Sequence, residues 1–216
     1  MKMIPVVLSL LLISTIALAE TKKEVLINFD QAVVDKTPEG FSTGLTGQGG
    51  PVIWAVQEDP TAPSPSKVLA QLSTERAHMR FPVCVYDGLK AKDVLVTVKF
   101  KPVTGRIDQA AGIVARYLDQ DNYYIVRANA LEGNVNLYKV VGGVRKEFAG
   151  AAAAVSSGQW QILGLEVQGT HFKVFKDEKL LFEADDTTFA NEGKVGLWTK
   201  ADSVTYFDNL AITPLK

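Results

Sequence analysis

The chain has 216 residues, with 23 lysines and arginines against 24 aspartates and glutamates, for a formal net charge of −1. Without a basic excess it has no electrostatic basis for binding nucleic acid, and one cysteine cannot build a disulfide framework. Its length suits one all-β domain, a class that commonly runs to about 200 to 250 residues.

Met1 to Ala19 reads as a secretory signal peptide. Lys2 is its positive start, Ile4 to Leu18 is apolar, and Ala17-Leu18-Ala19 is a small-residue cleavage pattern before Glu20. The apolar run is shorter than the ~20 residues that a spanning helix needs. No cysteine follows the cleavage pattern to carry a lipid. The expectation is a single mature domain from Glu20 to Lys216, periplasmic or extracellular, without a membrane span.

Val25 to Asp30 is predicted as the first strand. Thr43 to Pro51 is rich in glycine and Pro60 to Pro65 holds three prolines, so both read as loops around an edge strand at Val52 to Gln57 that carries Trp54. Cys84 lies in Val83-Cys84-Val85-Tyr86 and reads as a small buried hydrophobe. Val94, Val96, Val98 and Phe100 alternate with Leu95, Thr97, Lys99 and Lys101, the period of a half-buried strand. Turns at Asp119 to Asn122 and Glu132 to Asn134 separate strands at Ala111 to Leu118, Tyr123 to Ala130 and Val135 to Val141, an antiparallel meander. Ala149 to Gly158 has little to pack and is predicted as a loop, with a short surface helix as the other reading. Strands follow at Trp160 to Val167, His171 to Phe175 and Lys179 to Glu183. Lys194 to Lys200 and Val204 to Leu210 then read as two paired strands meeting at the turn Ala201-Asp202-Ser203. Many short strands and no helical period outside the signal peptide predict two packed antiparallel sheets.

Within the meander, Ile113, Ala115 and Tyr117 are expected in the core, which sends Gly112, Val114 and Arg116 to the opposite face. Tyr124, Val126 and Ala128 suit the core, so Tyr123, Ile125, Arg127 and Asn129 face outward, joined by Asn134, Asn136 and Tyr138. Such a face suits a sugar, because arginine and asparagine give fixed donors to hydroxyls and aromatic rings stack on pyranose faces. Trp198 is the expected stacking platform, with Lys200 two residues on, and Arg80 and His78 face the same way if Met79 and Phe81 point inward. Arg80, Arg116, Arg127, Asn129, Asn136, Trp198 and Lys200 are thus the candidate carbohydrate-binding residues. The competing reading makes the arginines cross-strand partners on an ordinary solvated face.

Other chemistries have less support. Glu183 and Asp185 share a strand face, but the sixth position of a Glu-x-Asp-x-x-Glu glycosidase motif is Thr188, which removes the acid/base partner. His78 and His171 lie apart without cysteine clustering, and Ser64, Ser66 and Ser73 occupy no nucleophile elbow. Asp30 and Asp208, on the first and last strands, are the candidate pair for a structural calcium, and no other cofactor is predicted.

The stretches NYYIVRANALE, from Asn122 to Glu132, and GKVGLWTKADSVTYFDN, from Gly193 to Asn209, resemble the concanavalin A-like, laminin G-like jelly rolls. The resemblance extends over Phe41 to Ile212 and is specifically to domains grouped with the 3-keto-disaccharide hydrolases. It implies an all-β jelly-roll sandwich. It also implies a carbohydrate or glycoconjugate as partner, either bound without turnover on the concave sheet face or cleaved beside a 3-keto group. That cleavage proceeds by elimination and hydration, with one base and an electrophile and no carboxylate pair. His78, Asp108 and Glu132 are the candidate bases, and a structural or protein-binding sandwich is the remaining alternative.

Overall fold

The computed structural model describes residues 23–216, so the signal-peptide segment lies outside the described residues. In chain order the strands are β1 Val25–Ile27, β2 Phe41–Gly47, β3 Trp54–Glu58, β4 Lys67–Gln71, β5 Arg80–Ala91, β6 Val94–Thr104, β7 Ala110–Asp119 and β8 Asn122–Asn129. They continue as β9 Asn134–Val141, β10 Val144–Ala152, β11 Gln161–Gln168, β12 His171–Lys176, β13 Lys179–Asp185, β14 Gly193–Trp198 and β15 Val204–Pro214. The first sheet runs β13-β12-β11-β6-β15-β4-β3 with β1 added to β15; the second runs β10-β9-β8-β7-β14-β5-β2.

Alternation along each strand puts the main core between the sheets. Val94, Val96, Val98 and Phe100 of β6 meet Ala111, Ile113 and Ala115 of β7 and Tyr124, Val126 and Ala128 of β8 in one apolar cluster. Cys84 lies in it as a buried small side chain, and burial pushes its thiol pKa up.

The predicted meander is present as β7-β8-β9, and β10 extends it. Gly142 and Gly143, both at positive φ (56° and 79°), form the two-residue turn between β9 and β10. The alanines from Ala149 to Ala152 therefore belong to a strand rather than to the expected loop, because the hairpin fixes their register against Asn134 to Leu137. Phe41 to Gly47 is likewise a strand despite its glycines, pairing along β5. β14 and β15 do not pair with each other, contrary to the expected hairpin: β14 lies between β5 and β7, and β15 between β6 and β4. The turn Ala201-Asp202-Ser203 carries the chain from one sheet to the other, with Ala201 at φ 49°.

One irregularity decides the course of β7. Arg116 has φ 47° and sits at a bulge where β7 spends one more residue than β14. Tyr117 thereby joins Val114 on the outer face, and Arg116 is turned off it. Gly193 packs against this bulge, where a Cβ would come 2.4 Å from the Arg116 carbonyl carbon.

Asp186, just beyond β13, ties the two sheets together. It accepts from Tyr124 Oη of β8 at 2.6 Å, Lys139 Nζ of β9 at 2.5 Å and the Thr188 N–H at 2.8 Å. Burial alone would raise its pKa, but Lys139, Thr188 and Tyr124 outweigh burial and hold the carboxyl down at about 2. A depressed folded-state pKa stabilises above the unfolded value near 3.9, and that contribution is lost as pH falls toward about 2. Asp186→Asn is expected to cost about 2 kcal/mol at pH 7, with the gap to the parent closing as pH approaches 2. Urea unfolding at a series of pH values measures it; a gap that stays constant with pH would show that the carboxylate's charge is not the source.

Candidate functional site

The second sheet buries side chains on both faces. On the face away from the core, Phe81, Val83, Val85, Val114, Tyr123, Ile125, Tyr138, Val140 and Trp198 form a second apolar cluster, with Tyr117 packed against it. The β7–β8 hairpin folds over part of this face, with Thr46 of β2 donating to the Gln120 carbonyl and sharing a 2.8 Å hydrogen bond with Tyr123 Oη. Trp198 stacks on Phe81 at 5.4 Å between centroids and 16° between planes, and its Nε1 donates to Tyr123 Oη at 3.3 Å. Burial raises the Tyr123 phenol to about 12, so it remains a neutral hydrogen-bonding group.

Beside this aromatic floor lies a rim of charge. Arg127 of β8 makes a two-point ion pair with Glu132, Nη1 at 3.2 Å and Nη2 at 2.8 Å, and also donates to Asn134 Oδ1 at 2.7 Å. Arg127 is buried, whereas the Glu132 side chain is 43% exposed and so presents itself to solvent. Burial pushes the Glu132 pKa up, but Arg127 and Asn134 outweigh it and hold the carboxylate below its ordinary range. Asp108 is 1% exposed; its Oδ1 accepts from Asn129 Nδ2 at 2.8 Å and its Oδ2 stands 2.5 Å from Lys200 Nζ. Burial raises the Asp108 pKa against the opposing pull of Lys200 and Arg127. Asn136 Nδ2 donates to Tyr138 Oη at 3.1 Å and Glu147 Oε2 at 2.9 Å.

Asp202 sets the position of Asp108. Its carboxylate accepts the backbone N–H groups of Arg106 at 2.9 Å, Ile107 at 3.0 Å and Asp108 at 3.1 Å, which fixes the loop entering β7. Burial would raise its pKa, but these three donors prevail and lower it.

Arg145 of β10 lies across the floor. Its guanidinium carbon is 4.4 Å from the Tyr138 ring centroid, 4.7 Å from that of Phe81 and 5.6 Å from that of Trp198. Among the described residues it has no ion-pair partner, and its buried Nη1 has no hydrogen-bond acceptor. Every other cation on this rim is paired with a carboxylate.

Solved structures share this architecture. The carbohydrate-binding module CBM66 from Bacillus subtilis matches with a TM-score of 0.65 and 19% identity, over 81% of this chain and 95% of that one. Domain 4 of AbnA, a GH43 extracellular arabinanase from Geobacillus stearothermophilus in complex with arabinotriose, matches with a TM-score of 0.55 and 15% identity, over 87% and 89%. The exoplasmic/lumenal domain of VIP36, in its Ca2+ and Man3GlcNAc-bound form, matches with a TM-score of 0.56 and 13% identity, over 76% and 84%. The fold is an antiparallel two-sheet jelly-roll sandwich. No family model matches the sequence, and no curated protein does either.

The jelly roll brings Arg127, Asn129, Asn136 and Lys200 together on one rim of the second sheet. Trp198 shares that face but is 0% exposed, so it is part of the floor rather than an open stacking platform. Arg116 leaves the face at the bulge and instead donates to the carbonyls of Lys92, Phe189 and Gly169 at 2.8, 2.6 and 2.6 Å. Arg80 is turned away as well, because Phe81 and not its neighbour lies on the outer face. Its Nη2 donates to Pro51 O and Ser73 Oγ, each at 3.1 Å, and anchors the glycine-rich loop. His78 lies exposed outside any strand. Asp208 receives the Ser64 N–H at 3.0 Å and Oγ–H at 2.8 Å, so the carboxylate expected to hold calcium anchors the proline-rich loop. Asp30 keeps one buried unpartnered oxygen, and no group of three or more histidine, cysteine or acidic side chains suited to a metal forms among the described residues. Glu183 and Asp185 hold the exposed His171 from either side, at 2.8 and 3.1 Å, far from any role on the rim. Arg145 was not among the expected residues; Gly142-Gly143 between two alternating runs is the signal that would have extended the meander to it.

Proposed function

We propose that this jelly roll binds a glycan on the outer face of its second sheet, across the rim formed by Arg127, Glu132, Asn136, Arg145 and Lys200. The observation that supports it most is Arg145, a cation without an ion-pair partner among the described residues, laid over a buried aromatic floor. The rings beneath it attract the cation but accept none of its N–H groups, whereas a ligand oxygen would. Solved structures of this fold that are carbohydrate-binding modules or hold a bound saccharide point the same way. The signal peptide read in Met1 to Ala19 would deliver such a module to the periplasm or beyond.

Ligand-observed NMR with a panel of neutral and acidic oligosaccharides tests the reading. Glu132→Ala combined with Asn136→Ala removes one exposed and one buried rim group and is expected to weaken binding about tenfold or more, roughly 1.4 kcal/mol, with circular dichroism to check that the fold is retained. Binding unchanged in that variant would move the site elsewhere, and silence toward every saccharide would turn the assignment to a protein-binding sandwich. Glycosidic-bond cleavage of the 3-keto type is a second reading, favoured by Asp108, the one candidate base that is both on this face and raised in pKa by burial. New sugar resonances during the same titration, lost in Asp108→Asn, would establish it.

A further inference from the structure

The rim's charges are not interchangeable, and their pairing narrows the ligand class. Lys200 stands on Asp108 and Arg127 on Glu132, so two of the three cations are matched within the protein. Arg145 is not, and the groups in direct contact with it are rings. Tyr138, Phe81 and Trp198 lie beneath it, and Arg127 and Asp108 act on it only at longer range. Glu147, two residues along β10, is spent on Asn136. The side chain is half-buried: its Nη1 is buried with no acceptor, and neither Nε nor Nη2 is hydrogen-bonded to a protein group among the described residues. Ring faces attract a cation but offer it no lone pair, so the accessible Nε–Nη2 edge is open to a planar two-oxygen acceptor.

From this we infer that the site selects an acidic sugar, its carboxylate seated on Arg145 and its ring hydroxyls on the Glu132, Asn136 and Lys200 rim. The inference rests on the glycan-binding reading and narrows it to uronate-containing glycans. A carboxylate meets the guanidinium in two parallel hydrogen bonds, which a hydroxyl cannot do. The neighbouring Glu132 would repel a second anionic group at the rim, so the site suits one carboxylate at a time rather than a densely charged polymer.

The experiment is calorimetric titration of the whole protein with trigalacturonate and triglucuronate, each beside its methyl ester, and with laminaritriose as a neutral sugar. The ester keeps the ring and removes only the charge. An acid preference of about tenfold or more over the ester, abolished in Arg145→Met and partly kept in Arg145→Lys, is the expected result. Near-ultraviolet circular dichroism of the aromatic floor confirms that the variants are folded. Equal affinity for acid and ester, binding of laminaritriose alone, or an acid preference that survives in Arg145→Met would overturn the inference and leave glycan binding standing. No binding of any of these saccharides would remove the inference and the glycan-binding reading together.

Discussion

Replacing Arg116 with methionine is expected to destabilise the protein by about 3 to 5 kcal/mol, the range for removing one partner from a buried, fully bonded charge. The side chain is 1% exposed and holds three connections at once: Lys92 between β5 and β6, Gly169 between β11 and β12, and Phe189 before β14. Asp93 supports the clamp, 3.4 Å from Nη2 while receiving the Gly169 N–H at 2.7 Å. Methionine fills much of the volume but leaves these carbonyls without their donor, and each unsatisfied buried group costs about 1 to 3 kcal/mol. Arg116→Lys should recover little, since one ammonium cannot reproduce the planar fork that reaches three carbonyls. Urea denaturation gives the answer directly. A loss below about 1 kcal/mol would mean that the loops find other donors. Intact stability with lost saccharide affinity would return Arg116 to the ligand face, where strand alternation alone had put it.

Arg116 shows where a sequence reading of this protein reaches its limit. Alternation placed β8 correctly along its whole length, because Tyr123, Ile125, Arg127 and Asn129 do lie opposite Tyr124, Val126 and Ala128. The same rule failed on β7 after Ala115, since a bulge resets parity and nothing in Ala115-Arg116-Tyr117 announces a non-glycine residue at φ 47°. It failed again on β5 because an apolar face was equated with the core, while Phe81 belongs to a second buried cluster on the outer side. The jelly roll was legible from the strand runs and the motif resemblance. The sheet assignment of β14 and β15 was not, because a polar turn serves equally well inside a hairpin and between two sheets. For the candidate site, the arginine and asparagines of the meander could be read from period, but the pairing of each charge could not. That pairing is what separates Arg145 from Arg127 and Lys200.

Trp198→Ala is expected to lower stability by about 3 to 5 kcal/mol, as for other large buried aromatic side chains. A ring waiting for a sugar would be exposed, and its loss would cost affinity while sparing the fold. Trp198 is instead 0% exposed, stacked on Phe81 and hydrogen-bonded to Tyr123, with Arg145 over it. Removing it opens a cavity under Arg145 and leaves Tyr123 Oη without one of its donors, so affinity should fall as well, through the collapse of the floor. Trp198→Phe separates the two contributions. It keeps most of the apolar contact and loses only the Nε1 hydrogen bond, for which about 1 kcal/mol is expected. If the floor acts by holding Arg145 in place, the preference for an acidic sugar should survive in Trp198→Phe and disappear in Trp198→Ala. Loss of affinity in both variants with unchanged urea midpoints would instead show that the indole itself contacts the ligand, which requires the β7–β8 hairpin or Arg145 to move off it on binding.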